Sequence, residues 1–422
     1  MNKWLRGIEK RLPVKQLGPG LITGAADDDP SGIATYSQAG AQLGFNMLWT
    51  VVLTYPLMVS IQMVSARLGC ITGRGLAANI KEHFPGWVLY SIVGLLLIAN
   101  TINIAADIAA IGEASRLLLG GSAHIYSVAF GVLCLILQVV LPYQTYVTYL
   151  KWLTLSLLSY VAVVFTINVP WAQVLERLVF PHLTWNNATV TLIVAVFGTT
   201  ISPYLFFWQA AQEQEDLRSA GGAVLPHGIA EARRHLRRIR WDTYVGMGFS
   251  NAIAFFIILS TAATLHSAGV TNIETSAQAA EALRPLAGPF AFWLFSIGII
   301  ATGMLAVPVL AGSAAYAVAE AFHWRTGLNL HPDEGKKFYS IIAFATLGGV
   351  ALNFTPIHPI KALFWSAVIN GVIAVPIMVV MMILGGRENV MGQFTLKKRL
   401  TRIGWAATVV MGVAVVAMFA TL

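Results

Sequence analysis

Charge is scarce in this 422-residue chain: Asp, Glu, Lys and Arg together make up 11% of it, about half the share of an ordinary soluble domain. That excludes a soluble enzyme. It also excludes a disordered chain, which combines low hydrophobicity with abundant charge. The formal net charge is +8, yet so few charges cannot build the dense basic face that grips a phosphate backbone, so nucleic acid is excluded as a partner. Two cysteines, Cys70 and Cys134, are too few for a disulfide framework or a thiolate metal cluster. No His-Glu-x-x-His pattern occurs. The histidines at 83, 124, 182, 227, 235, 266, 323, 331 and 358 stand in loops or near the ends of apolar runs, which argues against a histidine-rich zinc or copper site and a buried histidine relay. What is abundant is hydrophobic sequence, 57% of the chain. The expectation is an all-α, polytopic membrane protein whose solvent is the lipid bilayer.

Eleven apolar runs approach the roughly 20 residues a membrane helix needs. They cover about 17–43, 47–69, 86–112, 125–142, 147–168, 187–212, 243–266, 286–318, 338–354, 361–384 and 403–421. The ninth is the weakest, with Gly348 and Gly349 at its centre. No signal-peptide pattern precedes the first run, and Lys3, Arg6, Lys10, Arg11 and Lys15 hold the N-terminus in the cytoplasm under the positive-inside rule. Eleven crossings then place the C-terminus outside. Of the 27 basic residues, all but Arg116, Arg177, Arg284 and Lys361 fall on the cytoplasmic side of this topology. The stretch 213–241 reads as the longest polar interruption, a basic cytoplasmic loop or an amphipathic surface helix.

Two spans violate the rules of a plain helix. The first contains Gly18-Pro19-Gly20 and then Asp27-Asp28-Asp29-Pro30-Ser31-Gly32. Three carboxylates at membrane depth cost several kcal/mol unless compensated, and Pro30 disfavours a helical Asp29. The sixth contains Gly198-Thr199-Thr200-Ile201-Ser202-Pro203-Tyr204, a small polar run bracketed by helix breakers. Unwound backbone inside a membrane is tolerated only where it lines a cavity or contacts protein. The two breaks lie five spans apart, as in transporters built from two inverted five-helix repeats, where such breaks hold the substrate near the midplane.

Oxygen donors with no histidine or cysteine beside them suit magnesium, calcium or manganese. Asp107 lies inside the third span, with Asn100, Thr101 and Asn103 just before it. It reads either as a pathway residue or as part of a structural hydrogen-bonding group. Asn370, inside the tenth span, reads either as pathway or as a helix–helix hydrogen bond. Glu320 falls at the cytoplasmic end of the eighth span and is expected to be solvated.

The run Gly18-Pro19-Gly20, Asp29-Pro30-Ser31-Gly32, Ala34-Thr35 and Gln38-Ala39-Gly40-Ala41 resembles the first span of the Nramp family of divalent-metal transporters. Gln62, Ser65-Ala66-Arg67-Leu68-Gly69, Thr72-Gly73-Arg74 and Leu76-Ala77 resemble that family's second span and the loop after it, and Met391-Gly392 with Phe394 fits its later part. The resemblance runs from about 17 to 400. It implies the LeuT-like fold of two inverted five-helix repeats, with helices 1 and 6 discontinuous. The repeats would be 17–168 and 187–384, the second including the basic loop 213–241. They would be flanked by a cytoplasmic segment 1–16 and by 385–422, which holds the eleventh span. It also implies ligands. The family's first-span motif is Asp-Pro-Gly-Asn and its sixth-span motif is Met-Pro-His. The aspartate, asparagine and methionine bind metal, together with a carbonyl before the methionine.

Carried over, the aspartate is Asp29 and the carbonyl position is Thr199. The asparagine position is Gly32, the methionine position Ser202 and the histidine position Tyr204. The departures have chemical consequences. A thioether favours transition metals, and its loss removes that bias. Fewer side-chain ligands leave room for water, which magnesium retains. The site therefore resembles the Nramp-related magnesium transporters, and magnesium stands ahead of manganese or iron as cargo. Asp28 is taken as a further ligand and Asp27 as a cavity residue beside Tyr204, Asp107 and Asn370. Proton-coupled members carry a glutamate three residues after the third-span aspartate. Here that position is Ala110, so weak or absent proton coupling is expected. No resident cofactor is implied, since the ion is cargo. The sequence leaves the oligomeric state open, a monomer being compatible with it, and the expected location is a bacterial inner membrane. An amino-acid carrier of the same fold, a channel and an intramembrane aspartyl enzyme using Asp29 and Asp107 are the competing readings. Three acids without a matching base disfavour the first, and adjacent acids on a broken helix disfavour the last.

Overall fold

A computed structural model describes residues 19–140, 154–219, 229–328, 330–355 and 358–421. The N-terminal basic residues, Gly18, Lys151, His227 and the middle of the 213–241 stretch lie outside the described residues. Among those described, the chain is helical and contains no strand. The first span is split into α1 (Pro19–Asp27) and α2 (Pro30–Leu43). Then come α3 (Leu48–Thr72), the short α4 (Leu76–His83), α5 (Gly86–Leu119) and α6 (Ala123–Val140). The described part of the fifth span is α7 (Leu158–Val164), followed by α8 (Trp171–Val179), which exposes Trp171, Leu175 and Val179 along one face. The sixth span is split into α9 (Asn187–Thr200) and α10 (Pro203–Ser219). The remaining long helices are α11 (Ile229–Thr261), α12 (Ala291–Ala321), α13 (Lys336–Leu352), α14 (Pro359–Gly386) and α15 (Lys398–Ala420), with short helical turns between them.

Every expected span is thus represented by helix, and the discontinuities fall in the first and the sixth. Eight helical stretches among the described residues are long and apolar enough to cross a bilayer on their own. The ninth span, α13, is only 17 residues long, which matches its weak sequence signal.

Long central helices are apolar around their circumference where they are enclosed. Along α12, every residue from Leu305 to Ala321 is buried, and this helix packs along α5. The half-helices are held as tightly. Half-helix α1 lies on α11 so closely that a Cβ added to Gly24 would come within 2.2 Å of the Gly246 carbonyl oxygen. One turn before, the Gly20 N–H donates to Asp242 Oδ2 at 2.7 Å. A free N–H of the first helical turn is thereby satisfied by an acid from another helix.

Two expectations are corrected here. The stretch 213–241 is not a loop over its described parts. Residues 213–219 complete α10, and 229–241 open α11. Three of its charges pair across the two helices, Arg238 with the fully buried Glu213 and with Asp216 at 3.1 Å, while Arg233, Arg234, Arg237 and Arg240 are exposed. Glu320 is not solvated. It is buried beneath α4 and accepts a hydrogen bond from the Ala78 N–H at 3.1 Å, so it caps that helix's first turn.

Candidate metal site

The first break is built by a cap. Asp29 is extended (φ −70°, ψ 168°), and its Oδ1 accepts the Gly32 N–H at 2.7 Å. Pro30 occupies the first helical position, where no N–H is needed. One carboxylate oxygen is therefore spent on starting α2, while Oδ2 is turned toward the centre of the protein. The second break is closed from within. Ser202 Oγ donates to the Gly198 and Thr199 carbonyl oxygens at 2.9 and 2.7 Å. These are carbonyls that the end of α9 leaves without backbone partners. Pro203 then begins α10.

The two breaks meet. Tyr204 Oη shares its hydrogen between the Ala26 carbonyl at 3.0 Å and Asp29 Oδ2 at 3.3 Å. Tyr36 Oη lies 3.1 Å from Thr200 Oγ1. A Cβ on Gly32 would stand 3.1 Å from Thr199 Oγ1. The residue set Asp29, Gly32, Thr199, Ser202 and Tyr204 is thus brought together, and every member is buried. The third span joins it: Asn103 Nδ2 reaches Asp29 Oδ2 at 3.4 Å.

Asp27 and Asp28 turn elsewhere. Both accept from one hydroxyl on α11: Ser250 Oγ lies 2.6 Å from Asp27 Oδ2 and 3.1 Å from Asp28 Oδ1. Asn370 is buried on α14 beside Gly371, which packs on Gly198 of α9. It makes no hydrogen bond to Asp29. Among the described residues, no group of three or more His, Cys, Asp and Glu side chains converges as a metal cage. A cation here would be held by few side chains, by hydroxyl and carbonyl oxygens, and by water.

Tyr36, Ser250 and Ser366 are site neighbours that local sequence pattern does not mark, whereas Ser31 and Asn103 stand in the two polar stretches already noted, without a partner that the pattern could name. Ser31 Oγ donates to the Leu363 carbonyl at 2.8 Å and lies 3.0 Å from Ser366 Oγ, which ties the first turn of α2 to α14. For Tyr36, Ser250 and Ser366 the only local signal is that they are polar residues within apolar spans. Partners more than 300 positions away, as for Ser31, are not visible in local pattern.

Comparison with known proteins gives a consistent picture. The family model described as natural resistance-associated macrophage protein-like (Nramp) matches residues 20–421. A divalent metal cation transporter MntH from Klebsiella pneumoniae subsp. pneumoniae is 28% identical over 413 residues, covering 94% of this chain and 92% of that relative. The protein of the same description from Acidiphilium cryptum is 26% identical, covering 96% and 90%. Among solved structures, a mutant of the Eremococcus coleocola manganese transporter superposes with a TM-score of 0.75 at 16% identity, over 94% of this chain and 84% of that one. Mhp1, a nucleobase-cation-symport-1 family transporter in a closed conformation, gives 0.55 at 14% identity, over 96% and 92%. The structural likenesses share the fold. A family match spanning nearly all of the described chain, on a molecule whose two helix breaks meet around a buried aspartate, means that this multi-pass membrane protein belongs to the Nramp family.

Proposed function

We propose that this chain carries a divalent cation across the membrane by alternating access, with magnesium ahead of manganese and with weak or no proton coupling. The observation that carries the reading is Asp29. It is a buried carboxylate at the break of the first span, in contact with the break of the sixth, and no basic side chain pairs with it among the described residues. An unpaired buried carboxylate is costly, and a cation passing through removes that cost. The relatives' description as divalent metal cation transporters supports the cargo class.

The metal preference rests on the donors. Gly32 offers no side-chain ligand, and the Ser202 hydroxyl is hard and already bonded to two carbonyls. Such a site suits an ion that keeps part of its water shell. A second reading has manganese as cargo, with proton coupling. Its support is that the Eremococcus coleocola protein of the same fold is a manganese transporter. Weak coupling is favoured by Ala110, which offers no acid one turn after Asp107, and by Tyr204 in place of an imidazole. The basic residues favour a cytoplasmic N-terminus, and the membrane proposed is a bacterial inner membrane.

The deciding experiment is uptake into proteoliposomes across a panel of magnesium, manganese and calcium, comparing wild type with Asp29→Ala. Saturable uptake with magnesium preferred, lost in the variant, is expected. Manganese uptake without magnesium uptake would leave divalent transport standing and refute the preference. Undiminished uptake by the variant would remove Asp29 from the site.

A further inference from the structure

The two broken helices supply few ligands, and the third span lies against them with oxygens to spare. Asn103 and Asp107 stand four residues apart on α5, hence one turn apart on one face. Both are fully buried, at 0% exposure. Asn103 already touches Asp29 Oδ2 through its amide nitrogen, at 3.4 Å. Its own Oδ1 has no hydrogen-bond partner, and neither oxygen of Asp107 meets a side-chain donor. No ion pair among the described residues reaches Asp107. Asn100 shares the same face, but its amide nitrogen is held away from Asp29, donating to the Leu310 carbonyl at 2.9 Å and Ser313 Oγ at 2.7 Å on α12, and its Oδ1 is also without a hydrogen-bond partner.

Buried polar atoms in a native protein nearly always have partners, and an orphaned set calls for an ion or water that completes it. Here the orphaned oxygens are one amide oxygen and one carboxylate, all hard donors: Asn103 touches the Asp29 oxygen that the helix cap leaves over, and Asp107 lies one turn further along the same helix. Gly32 and Ser202, meanwhile, leave the first and sixth spans short of side-chain donors. We propose that α5 makes up the shortfall: Asn103 and Asp107 bind the same divalent cation as Asp29, directly or through its retained water, so that three spans rather than two hold the ion. Two carboxylates with an amide oxygen form an all-oxygen set, which favours magnesium and manganese over softer metals. This rests on the proposed cation transport and adds the ligands that set its selectivity.

The test is equilibrium binding to the purified full-length chain. Free manganese is read by electron paramagnetic resonance and magnesium by its competition for the same site. Asp107→Asn is isosteric and is expected to weaken both metals by about tenfold or more, and Asn103→Leu by about threefold or more, with thermal midpoints in metal-free buffer unchanged. Wild-type affinity in Asp107→Asn, with binding lost in Asp29→Asn, overturns the proposal and leaves the transport reading intact. Absence of divalent binding and uptake in the wild type would end the transport reading first. Should Asp107→Asn fail to fold, Asp107→Glu keeps the charge and moves it outward by one methylene. A changed magnesium-to-manganese ratio is then expected, and an unchanged ratio at unchanged affinity counts against Asp107 as a ligand.

Discussion

At the scale of single residues, the proposed metal preference turns on Ser202 and Gly32. Both differ from the family motif, and the structure says what restoring each would involve. A methionine at 202 would release the Gly198 and Thr199 carbonyls from the hydroxyl that now bonds them and would add a soft donor. Ser202→Met is therefore expected to raise the manganese-to-magnesium uptake ratio by about tenfold, equivalent to ~1.4 kcal/mol. Competition uptake measures it, and an unchanged ratio would show that position 202 does not set preference. An asparagine at 32 meets an obstacle, because its Cβ would press on Thr199 Oγ1 at 3.1 Å. Gly32→Asn alone is expected to lower yield and uptake, and Gly32→Asn with Thr199→Ala to recover both. Equal behaviour of the single and double variants would mean that this contact relaxes freely.

At the scale of elements, the half-helix α1 is attached to α11 at both ends, through Gly20 with Asp242 and through Asp27 and Asp28 with Ser250. Ser250→Ala removes the one hydroxyl those two acids share, which costs about 1–3 kcal/mol for buried groups left without a donor. A lower thermal midpoint is expected, measured by intrinsic fluorescence in the absence of metal. Arg238→Met strands Glu213, whose side chain is 0% exposed, and a loss of about 3 kcal/mol is expected by the same assay. The breaks themselves are legible in sequence, because Pro30, Pro203 and the acids beside them conflict with a helix through purely local chemistry. Ser250 is not, and of Asn103 only its place in the polar group beside Asp107 is. Their roles depend on which distant helix lies opposite, and a polar residue in an apolar run looks the same whether it bonds its own turn or another span. The 213–241 stretch misleads for a related reason. Charge density there suggests solvent, whereas Glu213, Asp216 and Arg238 satisfy one another between two helices. Glu320 likewise reads as solvated when its partner is the first turn of α4.

At the scale of the whole molecule, the driving force follows from the cargo's charge. A dication moving inward gains about 4.6 kcal/mol from a potential of about 100 mV, twice the single-charge value. With Ala110 in place of a second third-span acid, uptake is expected to proceed in potential-clamped proteoliposomes without acidifying the lumen, as followed by an entrapped pH dye. Acidification in proportion to metal carried would establish coupling and would point to a proton route other than an α5 acid pair.

Asp29 does two jobs with one side chain. The oxygen that holds the Gly32 amide fixes where the second half of the first span begins to coil, and the other oxygen is the one that, on the proposed function, meets the ion. Any tug by the cargo on that carboxylate is therefore felt by a backbone amide 2.7 Å away, as a bit in a horse's mouth is felt along the rein. Loading and the winding of a helical turn become a single mechanical event, and the exchange rate of the Gly32 amide hydrogen is where that event can be watched.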